Sequence, residues 1–299
     1  MKRVIALLLA LALSGASAMV LAQDDGYIAV VCVEDEISEY AYGYDHLSTL
    51  QMINALMEDP DNHGIFLYLN SPGGYLYESD ELYEKLMRYK AQTGNGVYCY
   101  VGAQACSGAF YAAMAADYIA AGKMSEVGNV GVYLETISYD GLYEKLGIEH
   151  HVLITGENKL EGVPTLTDAQ REIVMGRLEE GLDFFVEVIR LGRGMDEQTA
   201  RQLTDGRIFT ATQAKERGLI DAVMTYDEAV DDMLGRFFGA QLPMLYMEDI
   251  LDLDDGYGAE YGTYPYDTQD TQERNPLFDW LLDGAGARRD GRMLALRRE

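Results

Sequence analysis

Residues 65–74 read Ile65-Phe66-Leu67-Tyr68-Leu69-Asn70-Ser71-Pro72-Gly73-Gly74, a short unbroken apolar run closed by a proline and two glycines. A run of that length, rich in aromatic and branched residues, suits a strand covered on both faces, as strands of parallel sheets are. The Pro-Gly-Gly turn stops the strand and permits backbone angles that other residues resist. Downstream, Leu82, Tyr83, Leu86 and Met87 recur at helical spacing within Leu76–Tyr89, and Val97–Val101 is another short apolar strand. Strand, turn, helix and strand together make a crossover unit, which predicts an α/β domain.

The same alternation extends in both directions. Tyr27–Val33 reads as a strand and His46–Glu58 as a helix whose Leu47, Leu50, Ile53 and Leu56 mark one face. After Val101 the sequence predicts a helix from Ser107, strands at Tyr118–Ala121 and Val130–Leu134, a helix near Tyr139–Leu146 and a strand at His150–Ile154. Thr167-Asp168-Ala169-Gln170 has the spacing of a capping box and opens a long helix to about Leu191. Thr210-Ala211-Thr212-Gln213 repeats that device, with Gly218 as its stop. The predicted class is α/β, built from stacked strand–turn–helix units.

Chemistry concentrates in Gln104-Ala105-Cys106-Ser107-Gly108-Ala109-Phe110. A serine hydroxyl is a weak nucleophile at neutral pH and needs a base beside it. Ser107 stands on a small-residue turn between an apolar strand and an apolar helix, where free backbone N–H groups can hold an oxyanion. Taken alone, a serine there equally suits a helix N-cap. Gly73-Gly74, ending the neighbouring strand, is able to bring a second N–H donor to the same place. Further along, Thr155-Gly156-Glu157-Asn158-Lys159 supplies a lysine. To accept a proton it must be neutral, a state favoured by burial among apolar groups and opposed by the chain's negative charge.

Asn70–Gly74, the Ala105-Cys106-Ser107-Gly108 turn, Gly128-Asn129-Val130-Gly131-Val132, Lys159, and Asp205-Gly206-Arg207 with Ala214–Asp221 occur in an order that resembles the bacterial signal peptide peptidase A family over roughly residues 27–225. The resemblance implies the Clp/crotonase-like fold of stacked β-β-α units. It implies Ser107 as nucleophile, Lys159 as its base, and an oxyanion hole from the N–H groups of Gly74 and Gly108. It also implies a ring-like homo-oligomer in which serine and lysine come from neighbouring subunits. Where the family usually has a serine that orients the lysine, this chain has Asn129, whose side-chain carbonyl can accept the ammonium's hydrogen bond instead. The residue after the lysine, often Asp, is Leu160.

The serine turn also looks like that of Clp proteases, which use a Ser-His-Asp triad. The histidine of that triad would fall near residue 132, where Val130–Leu134 stands, and His46, His63, His150 and His151 do not fit. A catalytically inactive, peptide-binding membrane scaffold is the reading from another class; the presence of both Ser107 and Lys159 argues against it. Cys106, beside the nucleophile, matches the family's residue preceding the serine and is read as a buried thiol.

Composition narrows the rest. The 299 residues carry a formal net charge of −27, against nucleic acid as a partner and in favour of basic or apolar peptide substrates. Cys32, Cys99 and Cys106 lie in apolar runs and read as free thiols. Asp231-Asp232 and Asp254-Asp255 lack a metal-ligand framework, Gly192-Arg193-Gly194 is too short for a phosphate loop, and no cofactor is expected. Met1-Lys2-Arg3 followed by uncharged Val4–Ala22 has the pattern of an export signal with cleavage near Ala18 or Ala22; left uncut, it would serve as a membrane anchor. Either way the expected location is the outer face of the cytoplasmic membrane or the periplasm. Residues 242–299 read as an acidic, tyrosine-rich, partly disordered tail ending in the apolar cluster Leu277-Phe278-Asp279-Trp280-Leu281-Leu282.

Overall fold

The computed structural model describes residues 26–39, 43–156, 158–159, 166–238 and 242–246. All lie in the first of two compact units, Met1–Asp255; the readings of residues 1–22 and of the tail beyond 246 lie outside the described residues.

The run quoted above is the second strand of a sheet. β1 (Tyr27–Glu34), β2 (Asn62–Ser71) and β3 (Gly96–Cys106) pair in parallel, with α1 (His46–Glu58) and α2 (Leu76–Thr93) as the crossovers. β3 is long enough to serve two neighbours. Its first half pairs with β4 (Tyr118–Ala121), and its second half, just before Ser107, pairs with β5 (Glu126–Gly128). β6 (Ile208–Thr210) runs antiparallel to β5, and β7 (Ala222–Val223) extends β4. β8 (Met244–Leu245) pairs with β1, so the stretch read as tail begins by completing a sheet edge.

Period-two alternation divides the core into two layers of different chemistry. One face of β1–β3 presents Ala29, Val31, Val33, Ile65, Leu67, Leu69, Val97, Cys99 and Val101 to the apolar stripes of α1 and α2. The other face presents Phe66, Tyr68, Tyr98 and Tyr100. Because Phe66 pairs with Tyr98 and Tyr68 with Tyr100 in register, their rings stack across the strands at 5.8 and 6.3 Å. Tyr226, opening α8 (Tyr226–Met233), meets Phe66 and Tyr100 edge-on at 5.6 and 5.5 Å.

The remaining helices are α3 (Gly108–Ala113), α4 (Asp140–Leu146), α5 (Asp168–Arg193), α6 (Glu197–Gln202) and α7 (Ala211–Glu216). Both predicted capping boxes form, Thr167 with Gln170 and Thr210 with Gln213. Arg193, at the end of α5, donates to both carboxylate oxygens of Asp221 at 3.0 and 2.7 Å and to the Gly218 carbonyl at 2.8 Å, fastening the long helix to the β7 side of the sheet.

Two predicted strands do not form. Val130–Leu134 is irregular, because Gly128 (φ 104°) and Asn129 (φ 50°) turn the chain out of the sheet immediately after β5. His150–Ile154 follows a left-handed turn at Gly147 (φ 66°) and is exposed, with no strand of the described residues beside it. Between them, α4 buries none of its residues. Residues 133–156 are therefore an excursion away from the core.

Candidate active site

Ser107 sits where β3 becomes α3. Its backbone adopts φ 49°, ψ −125°, a conformation sparsely populated by residues with a Cβ. Such strain at a sharp strand-to-helix turn is how a nucleophilic serine is pushed out of the sheet's end. Two constraints hold it there. The Ser107 N–H donates to the Gly128 carbonyl at 2.7 Å, continuing the β3–β5 ladder, and the Tyr111 N–H donates to the Ser107 carbonyl at 3.0 Å, starting the helix. The hydroxyl makes no capping bond, so the N-cap alternative fails and Oγ is left for other work.

The Pro-Gly-Gly turn reaches the same point from β2. A Cβ added to Gly73 (φ 97°) would lie 2.7 Å from the Ser107 Cβ and 2.6 Å from the Gly108 nitrogen, so only glycine allows this approach. The turn is clamped on three sides. The Ser71 hydroxyl accepts from the Gly73 N–H at 3.1 Å. The Ile37 N–H donates to Gly73 and the Tyr75 N–H donates to Ile37, at 2.8 and 2.9 Å. The Gly74 N–H takes no part in that pairing, and its nitrogen lies 3.3 Å from where a Cβ on Gly108 would stand. Ser107, Gly108 and Gly74, nominated from sequence, are brought together. The Gly74 and Gly108 nitrogens thus belong to two turns in close contact, one of which carries Ser107.

Asn129 is half-buried one residue beyond the carbonyl that holds Ser107. Its N–H donates to the Arg207 carbonyl at 2.9 Å, and the Gly206 N–H donates to Val130 at 3.0 Å, so the Asp205-Gly206-Arg207 motif braces this turn. The Arg207 guanidinium in turn holds the Asp205 carboxyl below its usual range. The side-chain amide of Asn129 has no hydrogen-bond partner among the described residues.

Lys159 lies elsewhere. Its N–H donates to the Gly156 carbonyl at 3.1 Å, closing a tight turn, but its side chain is exposed and has no hydrogen-bond or ion-pair partner among the described residues. The burial expected for a neutral lysine is absent from the single chain. The excursion that carries it also exposes Tyr133, Leu134, Ile137, Leu142, Leu146 and Leu153, the last at 99%. A cavity of about 570 Å³ lies under its first arm, between Tyr133–Ser138 and the Arg171–Leu178 stretch of α5; none of Ser107, Gly74, Gly108, Asn129 and Lys159 lines it.

Other candidates resolve as structure. Burial pushes the Cys106 thiol up to about 11, leaving little thiolate for attack. His46 is buried between the Tyr44 hydroxyl (3.1 Å) and Glu81 (2.9 Å), while His150 and His151 are exposed on the excursion, His151 3.3 Å from Glu149. Sequence reasoning missed Ile37, Ser71 and Ser79 as supports of the turn. Ser71 lay within the quoted motif but carried no visible role, and Ile37 is far from it in the chain.

Two family profiles match stretches of the chain that include Ser107. The profile of Peptidase family S49 matches residues 90–235, and that of Clp protease matches residues 29–123. An Enterococcus faecium protein assigned as a signal peptide peptidase, SppA, is 31% identical over 192 residues, 64% of this chain and 56% of that protein. Protease 4 of Haemophilus influenzae is 26% identical over 68% of this chain and 34% of its own length. The chloroplastic serine protease SPPA of Arabidopsis thaliana is 27% identical over 60% and 27%. This chain thus spans little more than half the length of the first of these relatives and less of the others. With the parallel sheet, the serine turn and the glycine turn in one place, the chain has a Clp/crotonase-like fold, and over residues 90–235 it is similar to Peptidase family S49.

Proposed function

We propose that the protein is a serine endopeptidase with a Ser107–Lys159 dyad, degrading signal peptides or other short apolar peptides at the outer face of the cytoplasmic membrane. The observation that carries this reading is the strained Ser107, its hydroxyl uncapped, on a turn packed against the Gly73-Gly74 turn. In the proposed reaction the neutral Lys159 amine takes the proton from Ser107 Oγ as that oxygen attacks the scissile carbonyl. The two amides hold the resulting oxyanion, the ammonium gives its proton to the leaving amine, and water then hydrolyses the acyl-enzyme with the lysine again as base.

Exposure of Lys159 supports assembly as part of the mechanism. A base that must be neutral needs apolar cover, and residues 133–154 present such cover outward rather than to their own chain. We take the working enzyme to be a ring-like homo-oligomer in which this excursion packs on a neighbour and delivers Lys159 to the neighbour's Ser107, with Asn129 accepting the ammonium's hydrogen bond. No described helix is long and apolar enough to cross a membrane, so membrane association is assigned to residues 1–22, as a signal or an anchor.

Incubation with signal-peptide substrates tests the reading. Cleavage by the wild type that vanishes in Ser107→Ala supports it; cleavage that survives unchanged in the variant overturns it. Absence of any cleavage would favour the peptide-binding scaffold.

A further inference from the structure

Ser79 is fully buried in the first turn of α2, and its hydroxyl donates to the Tyr75 carbonyl at 2.7 Å. Tyr75 directly follows Gly74. The same oxygen occupies the space of the side chain that Gly108 lacks: a Cβ there would stand 2.1 Å from Ser79 Oγ, and that point is 3.3 Å from the Gly74 nitrogen. One hydroxyl thus touches the backbone on both sides of the gap between the nucleophile turn and the glycine turn, which come from different crossover units. A neighbouring tie crosses the same seam, the Tyr111 hydroxyl of α3 donating to Asp80 of α2 at 2.6 Å.

We infer that Ser79 is a positioning residue for the oxyanion hole, setting the separation of the Gly74 and Gly108 amides. The inference rests on the oxyanion reading above. Catalysis by fixed donors depends on their being in place before charge develops, and small displacements are costly because the site does not reorganise during reaction. With alanine at 79, the Tyr75 carbonyl keeps its bond from the residue-79 N–H at 3.1 Å, so the helix start survives. The spacer between the two amides is what disappears.

The test is steady-state kinetics on an apolar peptide, together with labelling of Ser107 by a fluorophosphonate. In the labelling, the serine oxygen bonds to phosphorus and fluoride leaves, and the P=O oxygen needs the same donors. Ser79→Ala is expected to lower kcat and the labelling rate by about 10- to 100-fold with KM within about twofold. Ser79→Cys, which keeps a donor and fills the space, should recover most of the loss. A folded Ser79→Ala with wild-type kcat and labelling rate overturns the inference, as does a loss expressed only in KM or only in the folded fraction. Should Ser79→Ala fail to melt cooperatively, folded Ser79→Thr, which keeps the donor and enlarges the spacer, decides: lowered kcat and labelling rate at unchanged KM support the role, and rates identical to wild type overturn it. Failure of the wild type to label at Ser107 would instead sink the oxyanion reading itself.

Discussion

The turn that carries Ser107 and the loop that carries Lys159 lie at opposite extremes of order within one chain. Around Ser107, backbone hydrogen bonds from β5, α3 and the Ile37 segment fix every neighbour, and glycines at 73 and 108 let three elements approach within van der Waals distance. Around Lys159, a short turn stands on an excursion whose helix buries nothing and whose large apolar residues face outward. The first region behaves as finished active-site structure. On the proposed function the second serves as the interface to a partner, since exposed apolar surface favours association. On that reading half of the dyad is preorganised by folding, and the other half depends on assembly.

The largest expected effect tests that division directly. Ser107→Ala and Lys159→Ala should each lower peptide hydrolysis by about 10³-fold or more, whereas His150→Ala and His151→Ala should change it little. Mixing the two inactive variants in equal amounts, under conditions that exchange subunits, should restore about a quarter of wild-type activity if each site draws on two chains. No recovery in a mixture shown by mass spectrometry to be hetero-oligomeric would place both residues in one chain and end the comparison.

A smaller effect should follow from charging the excursion. Leu142 and Leu146 are 51% and 62% exposed, so Leu142→Asp with Leu146→Asp should leave the melting temperature of the monomer almost unchanged, within about 0.5 kcal/mol in stability. Sedimentation should show dissociation, and activity should fall with it. A fully active monomer would defeat the proposal that the excursion is an assembly surface.

The converse control lies in the body of the domain. Arg193→Met strips Asp221 of its bidentate partner, a loss of about 3 kcal/mol for a largely buried pair. The melting temperature should drop while kcat per folded molecule holds, because the ion pair secures α5 and not the serine turn. A kcat that falls more than stability does would show that α5 also tunes the site.

The smallest effect is expected at Cys106, adjacent to the nucleophile yet facing the core. Cys106→Ala should keep activity within about threefold of wild type, because an inert buried thiol contributes packing and no chemistry. With its thiol pushed up to about 11, alkylation of native protein should be slow at Cys106 near neutrality and accelerate as pH approaches that value. Rapid labelling at pH 7, read by peptide mass spectrometry, would refute that picture.

Sequence alone determined the parallel core and the strand-to-helix turn at Ser107. Continuous apolar runs at 65–69 and 97–101 have no other comfortable place than a sheet covered on both sides, and the glycines at 73, 74 and 108 mark where backbones must meet. It misjudged Val130–Leu134 and His150–Ile154, where local apolar pattern suggested strands but Gly128 and Asn129 turn the chain away and, among the described residues, no neighbouring strand pairs with them. A strand is completed by its partners, and propensity cannot supply them. Only the tertiary structure decided that Ile37 braces the glycine turn from far along the chain, and that Ser71 and Ser79, close to the turn in sequence, turn their hydroxyls onto its backbone. It also decided that Lys159 stands exposed in the single chain. The motif could name the lysine, but burial is a property of everything packed around it, and the exposed residues 133–156 supply little such packing.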